Sequence, residues 1–291
     1  MAEETTDSAL ILHEAAAPGM SERDSGTAEW LSPGPQTAPE PAWKVTVARA
    51  PAPEPLRPAD FQLAEAFIDL MSQKLEAAGV AVQMETDFRE FVKLRSGASP
   101  ETPVNPTYDP SRVVISMRNA FWLRAVDGGG ETVAMIAHRV FDTRDLFTDM
   151  CALRLWHDRP SPADSCVFRA IDLEPARGIA GRVAHSGGLW IRPDWRKRNL
   201  SGYLDHLGRA LMIRNFWFDH MTGLIPEKLA ATGIGIRQYG FPGIVGWIDF
   251  DFFNFRPIRL AYCQMTRAES VLRMRSWLLQ PEAESIADIY S

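Results

Sequence analysis

Residues 187–204 read GGLWIRPDWRKRNLSGYL, and this is the most informative run in the chain. An apolar strand ends at Ile191, Pro193 prevents its continuation, and a basic turn leads directly into a helix. The first amides of a helix have no acceptor within it, and the positive end of the helix dipole lies behind them, so this turn predicts a site for a phosphate-like anion. Ser201 is placed to cap the helix. The spacing alone also fits a strand, turn and helix with solvated basic residues.

The same stretch resembles the acetyl-CoA-binding half of the GNAT-type N-acyltransferases. That family has an apolar strand, a V-x-P-x-(Y/W)-R segment and a pyrophosphate loop of the form (Q/R)-x-x-G-x-(G/A) that runs into a helix. Residues 191–196, IRPDWR, match the first segment, and RKRNLS follows as the loop over residues 196–201. Asn199 and Ser201 replace the expected small residues, and Asn takes a positive φ more readily than most other residues. The resemblance covers about residues 58–266.

A second, shorter motif lies further along the chain. Tyr239-Gly240-Phe241 resembles the G-F ending of the family's fourth helix. In many members a tyrosine four residues before that glycine protonates the departing thiolate, and here that position is Ile236. Tyr239 reaches the sulfur only if the helix is distorted by its glycines, Gly233 and Gly235. Ordinary packing is the alternative role for Tyr239.

The resemblance implies a cofactor and a reaction. The cofactor is acetyl-CoA or another acyl-CoA, and the reaction moves an acetyl or short acyl group to the amine of a small molecule or protein. His185 is the preferred general base because it lies on the strand expected to face the substrate, and Tyr239 is the candidate acid. The other base candidates are Glu131, His138 and His220. The residues expected around the cofactor are Leu189, Trp190, Ile191, Arg196, Lys197, Arg198, Asn199, Leu200 and Ser201.

Two features leave a second hypothesis open. The loop lacks its glycines, and Ile236 replaces the usual acid. Both changes are expected in a catalytically degenerate binding or interaction protein built on the same fold. A lone histidine on a strand, such as His185, is also more often structural than catalytic. Fold alone does not decide between these hypotheses.

The first 57 residues differ in composition from the rest. They contain nine acidic and four basic residues, a net charge of −5 out of −6 for the whole chain. Nine of the 21 prolines lie within residues 1–58. Such a segment buries too little apolar surface to offset its conformational entropy, so we predict a disordered tail at 1–57 and one GNAT-like domain at 58–291. The remaining domain is nearly neutral, which argues against a nucleic-acid-binding protein.

Other residue patterns indicate where the protein works. Three widely spaced cysteines fit neither a disulfide framework nor a zinc motif, the first residues are acidic, and no run approaches the roughly 20 apolar residues of a membrane helix. We therefore expect a cytoplasmic protein without a membrane partner.

Asp205-His206 and Asp219-His220 lack a third ligand, so no metal site is predicted. The aromatic residues 247–255 are expected to pack as a strand and turn, with an acceptor wall or homodimer surface as alternatives.

Periodicity and turn residues predict an α/β fold with a GNAT-like mixed, mostly antiparallel sheet flanked by helices. The glycine-rich turn at residues 127–130 joins a hairpin. The predicted helices are 59–79, 87–94, 144–156, 200–215 and 268–279. The predicted strands are 113–126, 132–141, 183–192, 218–225, 244–250 and 258–266.

Overall fold

The structure is a computed structural model that describes residues 58–102, 104–158, 167–251, 258–283 and 285–289. The predicted tail, residues 1–57, lies outside the described residues, and so do residues 252–255 of the aromatic stretch. The domain boundary at residue 58 therefore stays a prediction. Among the described residues, no helix is both long and apolar enough to cross a membrane.

A mixed sheet forms the centre of the described chain. Its eight strands are β1 (Ala81–Glu85), β2 (Ala120–Val126), β3 (Thr132–Thr143), β4 (Val167–Ile171), β5 (Gly181–Ile191), β6 (His220–Pro226), β7 (Gly246–Asp251) and β8 (Ile258–Thr266). Their order across the sheet is β1-β2-β3-β5-β6-β8-β7-β4. Only β5 and β6 pair in parallel, and every other neighbouring pair is antiparallel. The predicted fold class is confirmed.

Helices cover both faces of this sheet. They are α1 (Pro58–Ala77), α2 (Phe88–Ala98), α3 (Leu146–Cys151), α4 (Leu200–Asn215), α5 (Glu227–Ala230), α6 (Ile234–Arg237), α7 (Arg267–Leu279) and α8 (Ile286–Ile289). The long helices α1, α4 and α7 share one apolar core with the sheet, and we call this side the helical face. In α1, Phe67, Met71 and Leu75 recur every four residues and are all buried. Two smaller cores, around α2 and α3, lie on the opposite face.

The hairpin strand β2 starts later than its sequence indicates. The run of strand-forming residues begins at Val113, but the strand itself begins at Ala120. The reason is local hydrogen bonding: the Ser116 amide donates to the Asn119 side chain at 2.8 Å, and the Asn119 amide donates to the Ser116 carbonyl at 3.0 Å. These bonds form a turn that competes with the extended backbone.

Three other elements differ from the prediction. The helix expected over residues 144–156 is only the six-residue α3, and Leu153, two residues beyond it, has a φ of +61° that ends any helical path. Strands β1 and β4 were not predicted at all. Each is five residues long, which is too short for a clear period of two, and each obtains its hydrogen bonds from a partner distant in sequence.

Helix α4 lies unusually close to the sheet at one point. A Cβ atom placed on Gly208 would overlap the ring of His138, which belongs to β3 and is fully buried. Glycine normally weakens a helix, and here it is required because the histidine ring occupies the space of a side chain. The crossing of α4 over β3 is therefore set by this glycine and this ring.

Alanine substitutions at two helical glycines should change the free energy of unfolding in opposite directions. Gly208→Ala should lower the free energy of unfolding by about 1–3 kcal/mol because it overpacks the core. Gly97→Ala, in the exposed part of α2 where no atom lies within 4 Å, should raise it by about 0.5–1 kcal/mol. Urea denaturation measures both. Adding His138→Ala to Gly208→Ala should recover part of the loss, and a Gly208→Ala variant as stable as wild type would refute the close crossing.

Candidate functional site

The parallel strands β5 and β6 separate part-way along their length. Their pairing runs from Val183 opposite His220 to Ser186 opposite Gly223 and then stops. Beyond this point β5 continues beside β3, and β6 continues beside β8. The backbone edges that faced one another therefore lose their strand partner and border a gap in the sheet.

A bulge in β5 coincides with the start of this gap. Between the pairs Ala137–Gly187 and Met135–Trp190, β5 has one residue more than β3. Gly188 lies in the bulge with a φ of +64°, which favours glycine, and a Cβ atom there would press on Phe91. The glycine pair in the sequence thus serves to bend β5 away from β6.

A cavity of about 270 Å³ occupies the gap. Residues 187–189 of β5 and 223–226 of β6 form two of its walls, so the separated strand edges face into it. Asp205 of α4 and Tyr239 line it from the helical face, and Trp156 lines it from the opposite face. Residues from both faces of the sheet therefore line the cavity.

The predicted anion loop lies at the start of α4. Lys197 and Asn199 have φ angles of +65° and +57°, so the chain takes the left-handed turn that a glycine would make, with an asparagine at the family's glycine position. Among the described residues, the amides of 197–201 donate no hydrogen bond to the protein. These donors remain available to an anion in front of the helix.

Ser201 does not cap α4, contrary to the expectation from sequence. The cap residue is Asn199, and it makes no side-chain cap hydrogen bond. The Ser201 hydroxyl instead donates to the side chain of Gln238 at 2.7 Å, just beyond α6, and it also hydrogen-bonds Tyr239. Because the Ser201 hydroxyl is bonded elsewhere, it does not accept a hydrogen bond from the free amides at the start of α4, as a bound anion would.

The basic residues of the loop remain at the surface. Arg196, Lys197 and Arg198 are all exposed, and the guanidinium of Arg198 lies 4.2 Å from the centre of the Trp195 ring. Arg192 differs from them, because it pairs with Asp194 at 2.8 Å and with Asp127 at 3.3 Å. The positive potential at the helix start therefore comes from the three loop residues.

The remaining cofactor candidates lie on β5 beyond the bulge and at the start of α4. Leu189 lines the cavity, and Ile191 packs against the core of the helical face. Trp190 points the other way, into the core around α2. Leu200 is buried as the first residue of α4, so only its amide is placed to meet a ligand.

His185 is buried and does not line the cavity. Its side chain is 1% exposed, its Nδ1 lies 3.0 Å from the Thr222 hydroxyl, and its ring stacks on Tyr108. Burial, with the nearby Arg139 guanidinium, lowers its pKa to about 3. His138 has the same low pKa, mainly through burial, and its Nδ1 lies 2.8 Å from the hydroxyl of Ser186. Both rings are neutral at pH 7 and weakly basic.

Tyr239 reaches the cavity because the expected helix before it is broken. Gly233 has a φ of +74°, and the chain around it forms only the single turns α5 and α6. Burial and the Asp205 carboxylate raise the pKa of Tyr239 well above its usual range, and the bond to Ser201 offsets only part of this. Ile236, in the position of the family's tyrosine, is 46% exposed and does not line the cavity.

A buried ion pair fixes Tyr239 relative to α4. Arg209 donates to Asp205 at 2.7 Å and to the backbone carbonyl of Tyr239 at 2.6 Å. Burial raises the pKa of Asp205, and the attraction of Arg209 works against this rise. Because Asp205 is already paired, it is poorly placed to accept a proton from a substrate.

Several residues that line the cavity were not predicted from the sequence to belong to a catalytic or cofactor site. Arg95 and Asn105 line it from the opposite face, and Ser186 and Asp205 from the helical face. Arg95 left one usable signal, since it interrupts the apolar side of α2. The other base candidates, Glu131 and His220, do not line the cavity. Within the described residues, no group of three His, Cys, Asp or Glu side chains is arranged to hold a metal ion.

Comparison with known proteins gives similar folds at low identity. No protein-family model and no curated protein matches the chain significantly. Arabidopsis thaliana NAA60 in complex with acetyl-CoA aligns at 10% identity and a TM-score of 0.42, over 65% of this chain and 99% of that one. A GNAT-family acetyltransferase from Streptococcus pneumoniae aligns at 12% and 0.36, over 64% and 99%. A putative arylalkylamine N-acetyltransferase 7 of the mosquito Aedes aegypti aligns at 14% and 0.34, over 72% and 85%.

Each TM-score is below 0.5 and each identity is far below 25%, so the likeness says nothing about this chain's substrate or activity. The mixed, mostly antiparallel sheet with its one parallel pair among the described strands is shown by the strand order and pairing described above.

The neutral histidines predict how stability depends on pH. Below pH 6.5 the unfolded chain binds a proton at His138 and at His185, whereas the native rings bind one only near pH 3. Their contribution is therefore complete above pH 6.5 and is lost as the pH falls towards 3. We expect a loss of about 1.4 kcal/mol per pH unit for each ring. Urea denaturation at pH 7, 6 and 5 measures this, and His185→Asn should remove one ring's share of the slope. An identical slope in that variant would contradict a neutral His185.

Proposed function

We propose that this protein transfers an acyl group from an acyl-CoA to an amine acceptor. The observation that supports this most is the position of the cavity, which lies between two separated strands and is lined by Asp205 in the second turn of the helix whose first amides are unused. Such an arrangement holds a long ligand with an anionic end at the helix and a reactive end inside the sheet. Acyl-CoA has this shape and this distribution of charge.

Each part of the acyl-CoA molecule has a matching part of the site. The pyrophosphate lies against the amides of residues 197–201, with Arg196, Lys197 and Arg198 adding charge around it. The pantetheine arm runs along the free edge of β5 near Leu189, where unpaired backbone groups meet its amides. The thioester then lies at the narrow end of the gap, near Ser186.

The reaction needs little from side chains. The amine attacks the thioester carbonyl, an N–C bond forms, and the C–S bond breaks. Backbone donors in the β5 bulge stabilise the negative charge that develops on the carbonyl oxygen. The phenol of Tyr239 lines the cavity and carries its proton at neutral pH, so it is placed to protonate the departing thiolate and to recover a proton from solvent.

The proton of the attacking amine leaves by another route. Among the described cavity residues, the only carboxylate is Asp205, which is paired with Arg209. His185 does not line the cavity, so we do not retain it as the direct base. Water in the cavity therefore accepts the proton from the amine. The absence of a free base among the described cavity residues also keeps a non-catalytic acyl-CoA-binding protein as the second candidate.

Ser201 offers a test of the cofactor site with a matched control. Ser201→Pro removes one amide at the second position of α4, where proline is tolerated in a helix, and should reduce acetyl-CoA affinity to an undetectable level. Ser201→Ala keeps the amide and should bind within a few-fold of wild type. Isothermal titration calorimetry, with circular dichroism as the check on folding, compares them. Raised salt should weaken the wild-type affinity.

The outcomes separate the candidate functions. A folded Ser201→Pro variant with full affinity would place the cofactor elsewhere. Wild-type protein that binds acetyl-CoA but acylates no amine would favour the binding protein. Wild-type protein that binds no acyl-CoA at all would contradict both.

Tyr239 offers a test of the chemistry. Tyr239→Phe removes only the phenolic hydroxyl and should lower kcat on the order of 100-fold, the low end of general acid catalysis, without changing the affinity for acetyl-CoA. Tyr262→Phe is the matched control, because this buried phenol of β8 hydrogen-bonds Gln264 and does not line the cavity. Coenzyme A release gives the rates. An unchanged kcat in Tyr239→Phe would remove this residue from the mechanism.

A further inference from the structure

Arg95 occupies a position where the helix pattern calls for an apolar residue. The buried side of α2 consists of Phe88, Phe91 and Arg95, which follow one another at helical spacing. The two phenylalanines belong to an aromatic core with Tyr108. Arg95 continues this side of the helix and is only 9% exposed.

The guanidinium of Arg95 has no partner among the described residues. Its Nη1 atom is buried without a hydrogen bond, and no described carboxylate forms an ion pair with it. Glu101 attracts it through charge alone, which offsets part of the drop in the Arg95 pKa that burial causes. A buried charge without a partner is costly, so the protein would be more stable with an apolar residue here.

This unpaired cation lines the cavity, whereas no residue of the loop 196–201 does. Thr102 and Asn105 also line the cavity, together with apolar side chains, among them Trp156, Phe250 and Leu260. All of these lie on the opposite face of the sheet, whereas α4 starts on the helical face. The acceptor therefore meets Arg95 when the cofactor enters from the side of α4.

We propose that Arg95 binds a carboxylate of the acceptor, and that the acceptor is an amino acid with an apolar side chain or a close analogue. This proposal rests on the acyltransferase function proposed above. A guanidinium binds a carboxylate through two parallel hydrogen bonds, which would satisfy the donors that the protein leaves unpaired. The apolar wall receives the side chain, and the amine then faces the thioester in the gap.

The carboxylate that binds Arg95 could instead belong to the acyl group. Succinyl-CoA or another dicarboxylic acyl-CoA also presents a carboxylate inside the gap. We place the carboxylate on the acceptor because Arg95 is on the face opposite α4, next to the apolar wall. A comparison of acetyl-CoA with succinyl-CoA separates the two sources.

The test compares matched acceptors. Wild-type protein with acetyl-CoA is given L-phenylalanine, L-leucine and L-methionine, each beside its amide and its decarboxylated amine, and coenzyme A release is measured. The acids should be preferred roughly 10- to 100-fold in kcat/KM, the range expected for hydrogen bonds to a charged group. Arg95→Gln should abolish this preference mainly through KM, while rates with the decarboxylated amines stay within a few-fold of wild type.

Two further variants separate recognition from structure. Arg95→Lys keeps the charge without the two-pronged geometry and should retain an intermediate preference for the acids. Arg89→Gln removes a positive charge from the exposed side of the same helix and should leave the preference unchanged. A role of Arg95 in folding alone would lower all rates together and would not change the ratio of acid to amine.

A binding measurement keeps the proposal independent of turnover. Calorimetry with N-acetyl-L-phenylalanine should show binding to wild type that is lost in Arg95→Gln, and N-acetylphenethylamine should bind both proteins equally weakly. If acetyl-CoA binds but acids and amines are used equally, the Arg95 proposal fails and the acyltransferase function stands. If no acyl-CoA binds, the function fails, and equal binding of the two N-acetyl probes would then refute the carboxylate site as well. A preference for succinyl-CoA that depends on Arg95 would overturn the placement on the acceptor.

Discussion

The separation of β5 from β6 creates the cavity and determines which residues line it. Two parallel strands normally satisfy one another's backbone groups along their whole length, and here the pairing stops after four residue pairs. The bulge at Gly188 bends β5, and Phe91 and Tyr108 pack against the glycine where a side chain would otherwise stand. The cost of unpaired backbone edges is offset when a ligand with its own amide and carbonyl groups lies between them.

The start of α4 is held in front of this gap by core packing. The Gly208 crossing over His138 sets the distance of the helix from the sheet, and the Arg209–Asp205 pair ties the same helix to the backbone of Tyr239. A buried ion pair contributes little net stability, but it defines geometry strictly. The helix that begins at the proposed anion site therefore also holds, through Arg209, the backbone of the candidate acid.

The sequence was informative where the determinants are local. The strand, turn and helix around residues 191–200 follow from proline, basic residues and helix spacing, and the positive φ expected at Asn199 is confirmed. It was uninformative where the determinants are distant. The direction in which His185 faces depends on pairing with β3 and β6 and could not be read from β5 alone. Arg95 enters the cavity only because α2 packs against the far side of the sheet, so no local pattern assigns it a ligand.

The charges around the gap also bear on the missing base. The three loop cations lie at the helical face and Arg95 at the opposite face, so a ligand pair with an anion at each end fits the gap. In a free amino acid the carboxylate stabilises the ammonium form of the neighbouring amine and keeps its pKa high. When Arg95 neutralises that carboxylate, this stabilisation is lost and the amine releases its proton more easily. Binding of the carboxylate by Arg95 would thereby lower the pKa of the amine and reduce the need for a general base. A cavity whose described residues include no free carboxylate or imidazole would then still suffice for attack on the thioester.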